Sequence, residues 1–326
     1  MRKLLCMVMA LAVTFIAGAE TRFITVSKDG SGNFTTVQQA FDAVPLNNRK
    51  KVVIYIKKGI YKEKLHLDST KNFVTLKGED KNTTILTCDD HTGKTTPDGS
   101  VINTMNSQTF YMKADDFSAE DITFENNAGM TAGQAVAIRV LGDRTRFINC
   151  RIIGFQDTLF ASDEKSRQYY LNCYIEGTTD FIFGAATVLF ERCHIHSKKN
   201  SHVTAASTPK ENTFGYVFKK CTLTADTSIH KATLGWPWRP YASVIYMECI
   251  IGDHIIPQGW DNWKNPENEK TARYAEYKNE GPGANTSARV SWSHQLTDKE
   301  AKQMTTGNIL RGWRPDRKNH GISYSE

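Results

Sequence analysis

Phe147-Ile-Asn-Cys-Arg-Ile-Ile-Gly-Phe-Gln-Asp157-Thr-Leu-Phe160 returns, 23 positions later, as Tyr170-Leu-Asn-Cys-Tyr-Ile-Glu-Gly-Thr-Thr-Asp180-Phe-Ile-Phe183. Asn, Cys, Ile, Gly, Asp and Phe recur at matched places. A period in the twenties, built from β-branched and aromatic residues without helical spacing, predicts a solenoid in which every coil stacks on the one before. Stacked parallel strands lie about 4.8 Å apart, so one period per coil makes Asp157 and Asp180 vertical neighbours. Gln134 lies one further period upstream and should share their column. An active site is expected at that column.

The cysteines carry the pattern outward. Cys150, Cys173, Cys193, Cys221 and Cys249 follow Ile-Asn, Leu-Asn, Glu-Arg, Lys-Lys and Met-Glu at intervals of 23, 20, 28 and 28. They mark one position in successive coils and should form a buried ladder of small side chains. Adjacent rungs also meet the Cα separation that a disulfide needs, roughly 4.4 to 6.8 Å, so a bond such as Cys173 to Cys193 is admissible in an oxidising compartment. Neither these nor Cys88 shows zinc-ligand spacing, and no metal is expected.

Upstream, Arg2 and Lys3, an apolar run from Leu4 to Ala17 and Ala17-Gly-Ala19 read as a secretory signal cleaved after Ala19. The run is too short to span a bilayer, and no other stretch could anchor the chain. Export implies periplasm, cell surface or medium. Loss of the leader lowers the formal charge from +6 to +4. No Lys/Arg-rich run with interleaved aromatics occurs, which argues against nucleic acid. Residues 20–326 are long enough for one elongated domain, expected to act as a monomer.

Phe23–Ser27 alternates like a strand, and Thr36 with Gln39 forms a capping pair opening a short helix whose apolar face is Val37, Ala40, Phe41 and Val44. Such a helix would cap the open end of the solenoid. Strands are expected at 51–56, 73–77, 84–87, 109–112 and 121–124, with 91–108 a projecting loop. No sustained helical periodicity occurs between 46 and 255, which argues against α/β-hydrolase and Rossmann arrangements. Beyond Ile256 strand rhythm is lost. The tail, with a helix from the Thr297/Glu300 capping box through Met304, should pack along the flank and close the far end.

Two carboxylates about 5 Å apart resist ionising together, so the pair divides into an acid and an anion. A neighbouring amide, Gln134 or Gln156, can donate to a developing oxyanion. These parts suit acyl transfer at an ester: carboxylate attack, protonation of the alkoxide, then hydrolysis of the anhydride. The alternative is that both aspartates bond backbone amides in tight turns. No Gly-x-Ser-x-Gly elbow, His-Glu-x-x-His or P-loop is present. His194 and His196 alternate on a strand and would need a third ligand to hold a metal.

These residues resemble the pectin methylesterase (pectinesterase) family. The resemblance rests on Lys58-Gly-Ile-Tyr-Lys-Glu63, Gly133-Gln-Ala-Val136, Gln156-Asp-Thr-Leu159, Ile175-Glu-Gly-Thr-Thr-Asp-Phe-Ile-Phe-Gly184 and Leu234-Gly-Trp-Pro-Trp-Arg239, in order across about residues 23–260. It implies an all-β, right-handed parallel β-helix that de-esterifies methylated homogalacturonan to methanol and free galacturonate carboxylates, without metal or organic cofactor. It further implies that Asp180 is the nucleophile, Asp157 the general acid and later base, and Gln134 and Gln156 the oxyanion site. Trp238 and Thr104 match substrate-contacting positions. The family usually reads Leu-Gly-Arg-Pro-Trp, where this chain has Trp236, and Arg239, three residues on, is the candidate to replace the missing cation beside Asp180. The rival expectations are a pectate or pectin lyase on the same solenoid and a pectin-binding β-helix with weakened catalysis.

Overall fold

The corners make the coil. Immediately before each ladder cysteine the backbone enters the left-handed region: φ is 52° at Asn149, 53° at Asn172, 53° at Arg192, 56° at Lys220 and 54° at Glu248. Asparagine takes this conformation readily, whereas Arg, Lys and Glu adopt it against steric preference. The packing of neighbouring coils therefore imposes the turn. In one circuit Arg167–Leu171 runs to the corner at Asn172, Tyr174–Gly177 follows, the chain turns again at Asp180, and Ile182–Gly184 leads into Thr187–Glu191 of the next coil.

The computed structural model describes residues 21–316, and the leader read at residues 1–19 lies outside them. Repeated circuits stack into three sheets of eleven, eight and seven strands, whose named strands pair in parallel, as in Tyr174↔His194 and Phe183↔Ala205. The fold is an all-β parallel β-helix. Asp121 is itself a corner residue (φ 57°), so the strand expected at 121–124 begins instead at Thr123. Among the described residues no helix is long and apolar enough to cross a membrane.

Inward-facing positions repeat from coil to coil, so like stacks on like. Phe147, Tyr170, Phe190, Phe218 and Tyr246 form one continuous column with ring centroids 4.3–4.9 Å apart, each contact worth about 0.5–1.5 kcal/mol beyond its buried area. The cysteines form a second column, buried as expected, but all six described thiols are free. The Cys173–Cys193 bond is thus absent. Cys193 donates to the Tyr170 carbonyl at 3.4 Å and Cys221 to that of Phe190 at 3.5 Å, turning each sulfur onto backbone of the preceding coil.

The helix Val37–Asp42 carries the expected Thr36/Gln39 capping box and covers the first coil, with Phe41 stacked on Phe110 at 5.3 Å. At the other end the tail departs from expectation. Arg273–Tyr277 and His294–Gln295 are further strands of the eleven-stranded sheet, so the coil continues past Ile256. The helix at Thr297 is a single turn, Asp298–Ala301, and a second, Thr306–Ile309, follows. Met304, Ile309 and Leu310 then pack on Tyr169, Leu189 and Val217 along the outer flank of that sheet. Arg289 fastens this end: its Nε lies 2.7 Å from Glu276 Oε1, with 4% and 1% of the two side chains exposed, and Nη2 donates to the Gly283 carbonyl at 2.7 Å. Removing one partner of a buried ion pair strands the other charge, so Arg289→Ala should cost about 3–5 kcal/mol, read as a lowered midpoint in denaturant unfolding.

Candidate active site

The second corner of the coil positions the aspartates. Asp157 and Asp180 are the turning residues, with φ of 64° and 53°, a conformation for which aspartate is one of the better-suited side chains. Their backbone N–H groups donate along the stack, Asp157 to the Thr179 carbonyl at 3.0 Å and Asp180 to that of His202 at 2.9 Å. With Leu159 paired to Ile182, the two aspartates sit one above the other, about one strand spacing of 4.8 Å apart. The turns are real, yet the carboxylates are not spent on them. Asp180 Oδ1 accepts from the Trp236 indole N–H at 2.6 Å, and no described residue hydrogen-bonds the Asp157 carboxyl.

Both aspartates are only 8% exposed, and both open on a cleft of about 400 Å³. Burial, and then the charge of Asp180, pushes the Asp157 carboxyl up to about 8. Burial also pushes Asp180 up to about 7, against the Trp236 hydrogen bond, which favours its ionised form. Near neutral pH the arrangement therefore holds a protonated Asp157 beside a more readily ionised Asp180.

Gln134 lines the cleft but not in the predicted column. It is bridged in parallel to Gln156, not to Asp157. The preceding coil is shorter, with Gln134 opposite Gln156, so the period of 23 overshoots by one at the corner. The two glutamines make a row of their own, one residue before the aspartates. Neither carboxamide is hydrogen-bonded by another described side chain, and both N–H2 groups are free to donate to a ligand oxygen.

Thr104 reaches the cleft from the 91–108 segment, which folds over the site through the turn Thr104–Asn106 and brings Met105 with it. Trp238 lines the wall, edge-on to Phe183 at 6.1 Å. Arg239 does not replace the missing cation. Its guanidinium stacks 4.8 Å over the Trp238 ring and donates to the Trp238 carbonyl at 3.1 Å, and it is not among the residues that line the cleft. Five contributors escaped the sequence reading: Met105, Ala205, Thr179 and Phe183, the last two inside the quoted repeat, and Trp263, which the tail delivers from a stretch without strand rhythm. The outward row of the seven-stranded sheet leads into the cleft as His66, Tyr111, Arg139, Phe160, Phe183, Ala205 and Trp236, in register from strand to strand.

Two groups could be considered for a metal. Cys88, Asp89 and Asp90 have ligand atoms within 4.8 Å of one another, but Lys94 bridges both carboxylates at 2.9 and 3.0 Å and Lys64 takes Asp90 at 2.6 Å. His194 and His196 do share a face. Both rings close on the Thr224 hydroxyl, at 2.6 and 2.7 Å, and Asp226 meets the other nitrogen of His196, which leaves no convergent third ligand among the described residues.

A family profile described as Pectinesterase matches residues 23–313. "Pectinesterase 31" of Arabidopsis thaliana is 43% identical over 290 residues, covering 87% of this chain and 90% of the relative. "Putative pectinesterase/pectinesterase inhibitor 45" of the same plant is 40% identical, and the chain spans about half (48%) of its length. Among solved structures, the pectin methylesterase from carrot superposes with a TM-score of 0.81 at 36% identity, covering 89% of this chain and 93% of that one. A pectin methylesterase in complex with a hexasaccharide gives 0.79 at 29% identity, covering 89% and 97%.

Proposed function

The chain belongs to the pectinesterase family, whose members are carboxylic ester hydrolases, and from that premise we propose that it demethylates homogalacturonan, with Asp180 as nucleophile and Asp157 as acid, then base. The observation carrying this reading is the pair itself: two carboxyls in register, open to one cleft, with unequal proton affinities. The polymer would lie along the aromatic row of the seven-stranded sheet, its methyl ester over the pair and a ring against Trp238.

Ionised Asp180 attacks the ester carbonyl carbon, and the charge that develops on the carbonyl oxygen is met by the amides of Gln134 and Gln156. As the carbon–oxygen bond to methoxide breaks, Asp157 delivers its proton and methanol leaves. An anhydride joins the galacturonyl carbon to Asp180. Asp157, now anionic, takes a proton from water, whose oxygen attacks the galacturonyl carbonyl, releasing the acid and restoring both aspartates.

The test is methanol release from methylated pectin, followed against pH. Activity needs Asp180 ionised and Asp157 protonated, so kcat/KM should rise through about 7 and fall beyond about 8, a narrow bell. Unsaturated-sugar absorbance in place of methanol would establish a lyase, and pectin binding with no methanol at any pH would leave a binding module.

A further inference from the structure

The group that holds Asp180 is uncharged. The Trp236 indole N–H donates to Asp180 Oδ1 at 2.6 Å, and the ring cannot turn away. It lies against His202 with centroids 3.6 Å apart and planes 16° from parallel, while Trp263 covers it at 3.9 Å. His202 is in turn anchored through Nδ1 to the Thr233 hydroxyl at 2.7 Å. No described Lys or Arg forms an ion pair with either aspartate: Arg239 is held over Trp238, and Arg139 is held between the Tyr111 and Phe160 rings, 5.1 and 5.0 Å from their centroids.

We propose that Trp236 is the positioning residue for the nucleophile, and that by donating without a positive charge it tunes the site to the neutral ester and against the anionic product. This rests on the reading of Asp180 as nucleophile. Tying Oδ1 to a fixed donor leaves Oδ2 as the attacking oxygen and sets its direction. A cation in the same place would attract the carboxylate that hydrolysis creates, whereas an indole N–H offers one oxygen a hydrogen bond and no net charge. The other ionisable groups around Asp180 do not supply the charge. Asp157 opposes it. Burial keeps His202 neutral, pushed down to about 4, with Asp261 acting weakly the other way. The buried Tyr274 phenol is held well above its usual range.

The test compares Trp236→Phe and Trp236→Arg with wild type in methanol release against pH, with fully de-esterified oligogalacturonate as inhibitor. Phenylalanine keeps an aromatic ring but removes the donor. It should lower kcat about tenfold or more with little change in KM, and move the acid limb to higher pH. Arginine should move that limb down by about one pH unit or more and tighten inhibition by the de-esterified oligomer about tenfold. An unaltered acid limb in Trp236→Phe, or wild-type product inhibition in Trp236→Arg, overturns the proposal, since a merely structural tryptophan would lower activity without moving either. Should both variants fail to fold, the wild-type indole Nε1–H resonance decides. It must shift with pH in step with the acid limb, and a flat titration rejects the assignment. Asp180→Asn is run alongside: if that enzyme still turns over, the underlying reading falls and takes this one with it, whereas an inert Asp180→Asn with an unmoved Trp236→Phe limb sinks this proposal alone.

Discussion

Asp180→Asn should release methanol from methylated pectin about three to six orders of magnitude more slowly than wild type, because the carboxylate that forms the acyl bond is gone while Asp157, held protonated by its burial, is a poor replacement. The substitution is nearly isosteric, and the Trp236 N–H still finds an amide oxygen where Oδ1 stood. The corner at φ 53° suits asparagine as well as aspartate. Loss of activity therefore cannot be assigned to misfolding, and the circular dichroism and melting behaviour should confirm an intact coil. Retained turnover, within about tenfold of wild type, would remove Asp180 from the chemistry.

Asp157→Asn should cost about two to four orders of magnitude with the methyl ester, and its failure should differ in kind. The nucleophile remains, but methoxide must depart without a proton, and no base activates water afterwards. An aryl ester, whose leaving group needs no protonation, should then give a burst of about one equivalent of phenol per enzyme followed by a stall at the anhydride. Asp180→Asn should give no burst. The same variant should gain stability. The Asp157 carboxyl stands at about 8 when folded against 3.8 in the open chain, so stability is full below about 4 and is lost as pH rises through 8. The loss is on the order of 5 kcal/mol. Asparagine does not titrate, so the variant should melt with wild type at pH 4 and well above it at pH 9; equal melting at both would contradict the burial argument.

The parallel solenoid was legible because its corners repeat. A stacked coil demands the same turn at the same place, and Asn-Cys in one circuit reappears as Asn-Cys, Arg-Cys and Lys-Cys in the next. The facing of Asp157 and Asp180 followed because that coil does have the 23-residue length the repeat implies. Gln134 was placed one position off because the coil from Gln134 to Gln156 is one residue shorter than the next, and a single period cannot follow a length that changes from coil to coil. The strand Arg273–Tyr277 was hidden for a different reason. Its inward side includes Glu276, which reads as surface until Arg289, 13 residues on, neutralises it. The Trp236 contact was beyond reach, since donor and acceptor are 56 residues apart and only the stacking of two later coils unites them.

The column of unbonded thiols gives this chain a gauge of its own opening. Cys150, Cys173, Cys193, Cys221 and Cys249 each belong to a different circuit and none is more than 2% exposed. A maleimide in the surrounding solution should leave the native protein unlabelled and capture each sulfur only when its circuit comes apart. The order in which the five positions acquire label, read by mass spectrometry of the peptides, would show whether the β-helix unravels from the helix-capped end, from the Arg289 end, or all at once.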